Sequence, residues 1–295
     1  MSKFSKIIFL ISLFLPFVVK AETKNVEPLT LAIEKVRSLH ETISAPGPYD
    51  WLAQHYEPGQ TFKEYYQNNP ISAQDERRII YIQPLGNFTD TERKIINTTA
   101  EFIHLFYNLE VKIIEDITLD VIPKKAKRQH PQWKMEQILS TYVLEEILIP
   151  TLPKDAAALI AFSSSDLWPG EGWNFVFGQA SIEDRVGVWS IYRNGNPDKE
   201  FKLCLMRTLK TAVHEIGHMF SILHCTKYEC GMCGFNHRKE SDTRPLWFCP
   251  ECMAKVCLAT SANPIIRYQK LTTICQKYDL KNEQEFYQKS SQALE

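Results

Sequence analysis

His214-Glu215-Ile216-Gly217-His218, followed by Met219-Phe220-Ser221-Ile222-Leu223-His224-Cys225, is the stretch on which the reading of this 295-residue chain turns. It closes an apolar stripe, Leu205, Leu209, Val213, Ile216 and Phe220, whose steps of three and four predict one helix from about residue 202 to 221. Residues four apart on a helix stand about 40° apart around its axis, so the imidazoles of His214 and His218 can reach one ion. Glu215, one step round the helix, is placed to face a water at that ion's open position. His224 comes six residues after His218, where the helix has ended and a returning loop can bring a third nitrogen. Three neutral imidazoles and a water form the tetrahedral set of a catalytic zinc.

Six of the eight cysteines lie between Cys225 and Cys257, beside those histidines. Cys225 and Cys230 form one close pair, and Cys249 and Cys252 form another after an 18-residue gap. Two such pairs are how four thiolates surround a structural zinc, with no position left for water or substrate; disulfides are the rival reading in an oxidising destination. Cys204 and Cys275 fall at helical positions and read as buried apolar residues. Cys233 reads either as a free thiol near the metal or as a rival ligand for the second zinc, and His237 either as a group supporting the metal ligands or, the favoured reading, as an exposed loop residue.

Upstream, the apolar run Ile79 to Ile82, the helical pattern Ile95, Phe102, Ile103 and Phe106, and further strands at 111–114 and 156–162 alternate β with α. A second helix is expected over 132–149. That order predicts an α/β fold with a mixed, mostly parallel sheet and packed helices. Two more β runs, 174–180 and 186–192, precede the histidine helix, and amphipathic helices are expected over 264–278 and 283–291.

Composition bounds the function. Apolar residues make up 44% and charged residues 23%, enough for a packed core, and 34 basic against 35 acidic side chains leave a net charge of -1. No broad positive field is available for nucleic acid, which excludes it as the expected partner and weighs against reading the cysteines as a zinc ribbon. Lys3 and Lys6 precede a 13-residue apolar run, Ile7 to Val19, and Val19-Lys20-Ala21 fits a cleavage site, so residues 1–21 read as an export signal. The run is short for a spanning helix, and no stable membrane insertion is expected after cleavage. The mature chain is expected to be exported, periplasmic or secreted. Residues 22–76 read as a mostly helical extension packed over the main domain.

The histidine and cysteine pattern, with Cys230-Gly231-Met232, resembles the signature of the archaemetzincins, a branch of the metzincin metalloproteases. The similarity extends to Trp173-Asn174-Phe175-Val176-Phe177-Gly178-Gln179-Ala180, to Asn236-His237, and to Asp242 and Arg244-Pro245-Leu246. It covers roughly residues 77 to 260 and implies a zincin-like fold: a subdomain over 77–224 carrying the sheet and active-site helix, and a small zinc-stapled one over 225–295. It also implies that His214, His218 and His224 bind the catalytic zinc, Glu215 is the general base, and Met232 forms the Met-turn beneath the metal. Cys225, Cys230, Cys249 and Cys252 would hold a second zinc. Asn174, Phe175, Val176, Phe177, Gly178, Gln179 and Ala180 would form the edge strand that pairs with a peptide substrate. The implied activity is peptide-bond hydrolysis; the alternative is a zinc protein that engages peptides without cutting them. Metzincins usually carry Gly where this chain has Ser221, and a left-handed backbone there costs Ser on the order of 1 kcal/mol relative to Gly.

Overall fold

The computed structural model describes residues 26–73 and 76–295; the export signal expected over 1–21 lies outside them. The first described segment holds helix α1 (Glu27–Val36) and short helices α2 (Trp51–Gln54) and α3 (Phe62–Gln67), joined by irregular chain. Thr61 caps α3 through a reciprocal bond with Glu64.

The α/β body follows: β1 (Ile79–Leu85), α4 (Asp90–Tyr107) and β2 (Glu110–Ile113), then β3 (Lys127–Gln129) and β4 (Glu136–Leu139). A helix starts as α5 (Ser140–Tyr142), passes through a π-helical segment, Val143–Leu148, and ends as α6 (Ile149–Thr151). Next come β5 (Ala156–Ser163), β6 (Asp166–Trp168), β7 (Gly178–Ala180), β8 (Val186–Ser190) and α7 (Phe201–Met219). The chain closes with α8 (Arg238–Thr243), α9 (Pro250–Thr260), α10 (Pro264–Lys277) and α11 (Lys281–Leu294).

Five strands form one sheet in the order β2-β1-β5-β8-β7, parallel except for β7, which runs antiparallel to β8 at the edge. β5 is buried along its whole length, as a central parallel strand requires. Its Ala158, Ile160 and Phe162 join the core shared with α4 and α7, while Leu159 and Ala161 join a second core under the π-helical segment. A smaller sheet, β3-β4-β6, flanks this second core.

Two expectations fail here. Residues 132–139 are not helical: Glu136–Leu139 is a strand in which Gln137 and Ile138 are both buried, and Gln137 bonds to the buried Asp166 carboxylate at 2.8 Å. The run 174–180 is a strand only from Gly178 onward, because the Asn174 carbonyl is taken by Arg128 and Gln137 at 3.0 and 2.9 Å. The Phe175 ring beside it lies under the Arg193 guanidinium, 3.7 Å from the ring centre.

Candidate active site

α7 forms as its apolar stripe requires and buries His214 and Glu215 against the sheet. Gly217 is needed for close approach: a Cβ there would lie 2.5 Å from the Met232 Sδ, so the methionine packs directly beneath the helix that carries the histidines. The helix then stops in a left-handed residue, Ser221 at φ +62°, and the Ile222 N–H returns to the Gly217 carbonyl at 3.1 Å. This reversal carries His224 back toward α7.

The three imidazoles converge, with ring centres 4.7, 4.9 and 5.1 Å apart and one nitrogen of each within 4.8 Å of the others. Nδ1 of His214 faces the Gly231 carbonyl at 2.9 Å, and Nδ1 of His218 faces the Ile222 carbonyl at 2.8 Å. A carbonyl only accepts, so both Nδ1 atoms carry the proton and both Nε2 atoms present lone pairs. Those two Nε2 atoms face each other at 3.1 Å. Lone pairs so placed repel unless a cation lies between them, and two ligands about 2.0–2.1 Å from a tetrahedral zinc stand about 3.3 Å apart. Burial, with the neighbouring rings, holds His214 far below its ordinary 6.5 and His218 down at about 3. Both therefore stay neutral, as metal ligation requires.

Burial alone pushes the Glu215 carboxyl up to about 8. Its Oε1 lies so near β7 that a Cβ at Gly178 would come within 2.6 Å of it. All seven residues expected at the substrate strand, Asn174 to Ala180, line a cleft of about 860 Å³ together with His214, Glu215, His218 and His224.

The four sulfurs of Cys225, Cys230, Cys249 and Cys252 are buried and lie within 4.8 Å of one another. Cys225 Sγ stands 3.7 Å from Cys249 Sγ, and corners of a tetrahedron about 2.3 Å from its centre are about 3.8 Å apart. Backbone N–H groups of Met232 and Cys249 donate to Cys230 Sγ, and that of Cys252 to Cys249 Sγ, a set of donors suited to thiolates. The donor chemistry of both clusters fits zinc. Cys233 belongs to neither; its thiol donates to the Tyr228 carbonyl at 3.2 Å. Cys204 and Cys275 are buried on α7 and α10.

Sequence reasoning missed the contribution of the first segment. Glu57 places both carboxylate oxygens on His224 Nδ1, at 2.8 and 3.0 Å, and the Trp51 ring meets the His224 ring edge to face at 5.2 Å. Burial opposes ionisation of Glu57, but the hydrogen bond and charge of His224 outweigh it and keep the carboxyl below its ordinary value. Gln60 accepts from the Leu223 N–H and donates to the Ser221 carbonyl, and the Ser221 hydroxyl accepts from the Ile71 N–H at 3.2 Å. His237 stands at the N-cap of α8 with its side chain partly exposed and pairs with Asp50 at 3.0 Å, while Glu240 on α8 accepts from the Trp51 N–H. The segment packs over the main domain as expected, with Ala32, Ile33 and Val36 of α1 buried, and nothing in its sequence marked Glu57.

A family model described as Peptidase family M54 matches residues 87–257. Archaemetzincin-2 of Rattus norvegicus is 31% identical over 275 residues, covering 81% of this chain and 76% of that protein. Archaemetzincin of Pyrococcus abyssi is 28% identical over 184 residues, covering 60% of this chain and 94% of that protein. The crystal structure of archaemetzincin from Methanopyrus kandleri superposes with a TM-score of 0.52 at 24% identity, covering 64% of this chain and 98% of the other, a likeness of fold.

Proposed function

Since the chain belongs to the archaemetzincin family, peptidase family M54, and is thereby a zinc metallopeptidase, we propose that hydrolysis takes place in the cleft between β7 and α7. His214, His218 and His224 would hold the catalytic ion, and Cys225, Cys230, Cys249 and Cys252 a second, structural one. Bound zinc at the histidines would supply a water of lowered pKa, from 15.7 toward ~7, and polarise the scissile carbonyl. The remaining work falls to the protein. An extended peptide lies along the free edge of β7, held by main-chain bonds that are indifferent to side chains. Glu215, desolvated beside Gly178 and poised near neutrality, takes a proton from the attacking water and returns it to the departing amine. The observation that carries this reading is the pair of Nε2 lone pairs facing each other at 3.1 Å in a cleft that the buried Glu215 also lines.

Residues 1–21 would direct export and be removed, leaving a periplasmic or secreted enzyme that begins at Glu22. Native mass spectrometry reads both proposals: a chain starting at Glu22 with two zinc ions is expected, and retention of residues 1–21 or a single ion would contradict them. For the chemistry, Glu215→Ala should keep its zinc while peptide hydrolysis falls by at least ~100-fold. Peptides retained by the unaltered zinc-loaded protein with no new amino termini would mean binding without cleavage.

A further inference from the structure

The third histidine differs from the other two in what holds it. His214 and His218 give their Nδ1 protons to backbone carbonyls close by in sequence, Gly231 and Ile222. His224 gives its proton to a carboxylate 167 residues away, Glu57, which lies outside the stretch matched by the family model. We propose that Glu57 is a positioning residue of the metal centre, fixing the tautomer and direction of His224 and making it a stronger ligand. The inference rests on the proposed hydrolytic site.

The geometry argues for it in three ways. Both carboxylate oxygens sit at hydrogen-bond distance from one Nδ1, so that nitrogen is the protonated one and Nε2 keeps the lone pair that an ion shared with His214 and His218 would take. Charge-assisted bonds of this kind are about twice as strong as neutral ones, and an anion behind an imidazole raises its basicity toward a cation. Gln60 and Met232 hold the backbone on either side of His224, but among the described residues Glu57 alone hydrogen-bonds to the ring, whose other neighbour in the segment is the Trp51 ring. A carboxylate partner supplies orientation where the helix does not.

The test uses the full chain and zinc in competition with a chromophoric chelator, with cobalt as a spectroscopic substitute. Glu57→Ala should weaken zinc at the histidine site by 10–100-fold and shift the cobalt d–d bands of that site, leaving thiolate-to-cobalt absorption of the cysteine site unchanged. Glu57→Gln keeps a neutral acceptor oxygen and should fall between the two. Thr61→Ala removes the cap of α3 in the same segment without touching His224, and should leave zinc affinity at the histidines as it was. Unaltered affinity in Glu57→Ala, or an equal loss in Thr61→Ala, overturns the positioning role alone. Failure of the unaltered chain to hold zinc at the histidines overturns the hydrolytic reading as well.

Discussion

At the scale of single residues, Ser221 shows how a local penalty is offset at a distance. Its φ of +62° is the conformation that favours glycine, yet its hydroxyl accepts the Ile71 N–H and its carbonyl accepts from Gln60. Replacing it separates the two effects. Ser221→Gly loses the hydroxyl but relieves the backbone, whereas Ser221→Ala loses the hydroxyl and keeps the penalty. Urea denaturation of the zinc-loaded protein should therefore find the alanine variant less stable than the glycine variant by about 1 kcal/mol; equal stability would remove the backbone from the account. The same contrast explains what could be read in advance. His214, His218 and His224 were legible because helix geometry fixes the first two and the chain turn delivers the third. Glu57 was not, because it meets His224 through a loop closure of 167 residues that leaves no periodic trace.

Among the elements, strand β7 and helix α7 meet at Gly178 and Glu215, and that contact tolerates no side chain. Gly178→Ala places a methyl 2.6 Å from Glu215 Oε1 and 2.8 Å from its Cδ and Cγ, so the carboxyl must swing aside. Turnover should fall on the order of 10–100-fold with zinc content unchanged, because only the placement of the proton acceptor moves; full activity would show that Glu215 works from elsewhere. Elements with strong periodicity were legible: α4, α7, α10 and the buried strand β5 lie where their apolar patterns put them. Residues 132–139 misled because Gln137 and Ile138 belong to β4 of a small second sheet, whose three short strands carry too few residues to show alternation. The first half of the 174–180 run was lost to capture of the Asn174 carbonyl by Arg128 and Gln137 and to a bridge from Val176 to Leu167, tertiary effects invisible in local sequence.

In the whole molecule one continuous core joins α1 and α3 of the first segment to α4, α7 and α9–α11, so the site's titrating groups bear on global stability. His214, His218 and His40 are all depressed from 6.5, His40 to about 4, each first by burial, and Glu215 is raised from 4.5 to about 8. Below pH 6.5 the unfolded chain takes up more protons at the histidines than the native one, so stability rises with pH. Glu215 holds an extra native proton from 4.5 to 8 and opposes this, one proton against the three of the histidines. Chelator-treated protein should therefore lose resistance to urea as the pH falls from 6.5 to 5, and a flat or rising resistance over that range would contradict these assignments. The long reach of Glu57 has a last consequence. The segment that carries it rests on α9, and α1 rests on α9 and α11, so its support is complete only when the final turns of the chain have been made. A substitution that loosens α9 or α11 would therefore reach His224 through α1 and Glu57, so packing far from the cleft sets how firmly that imidazole is aimed.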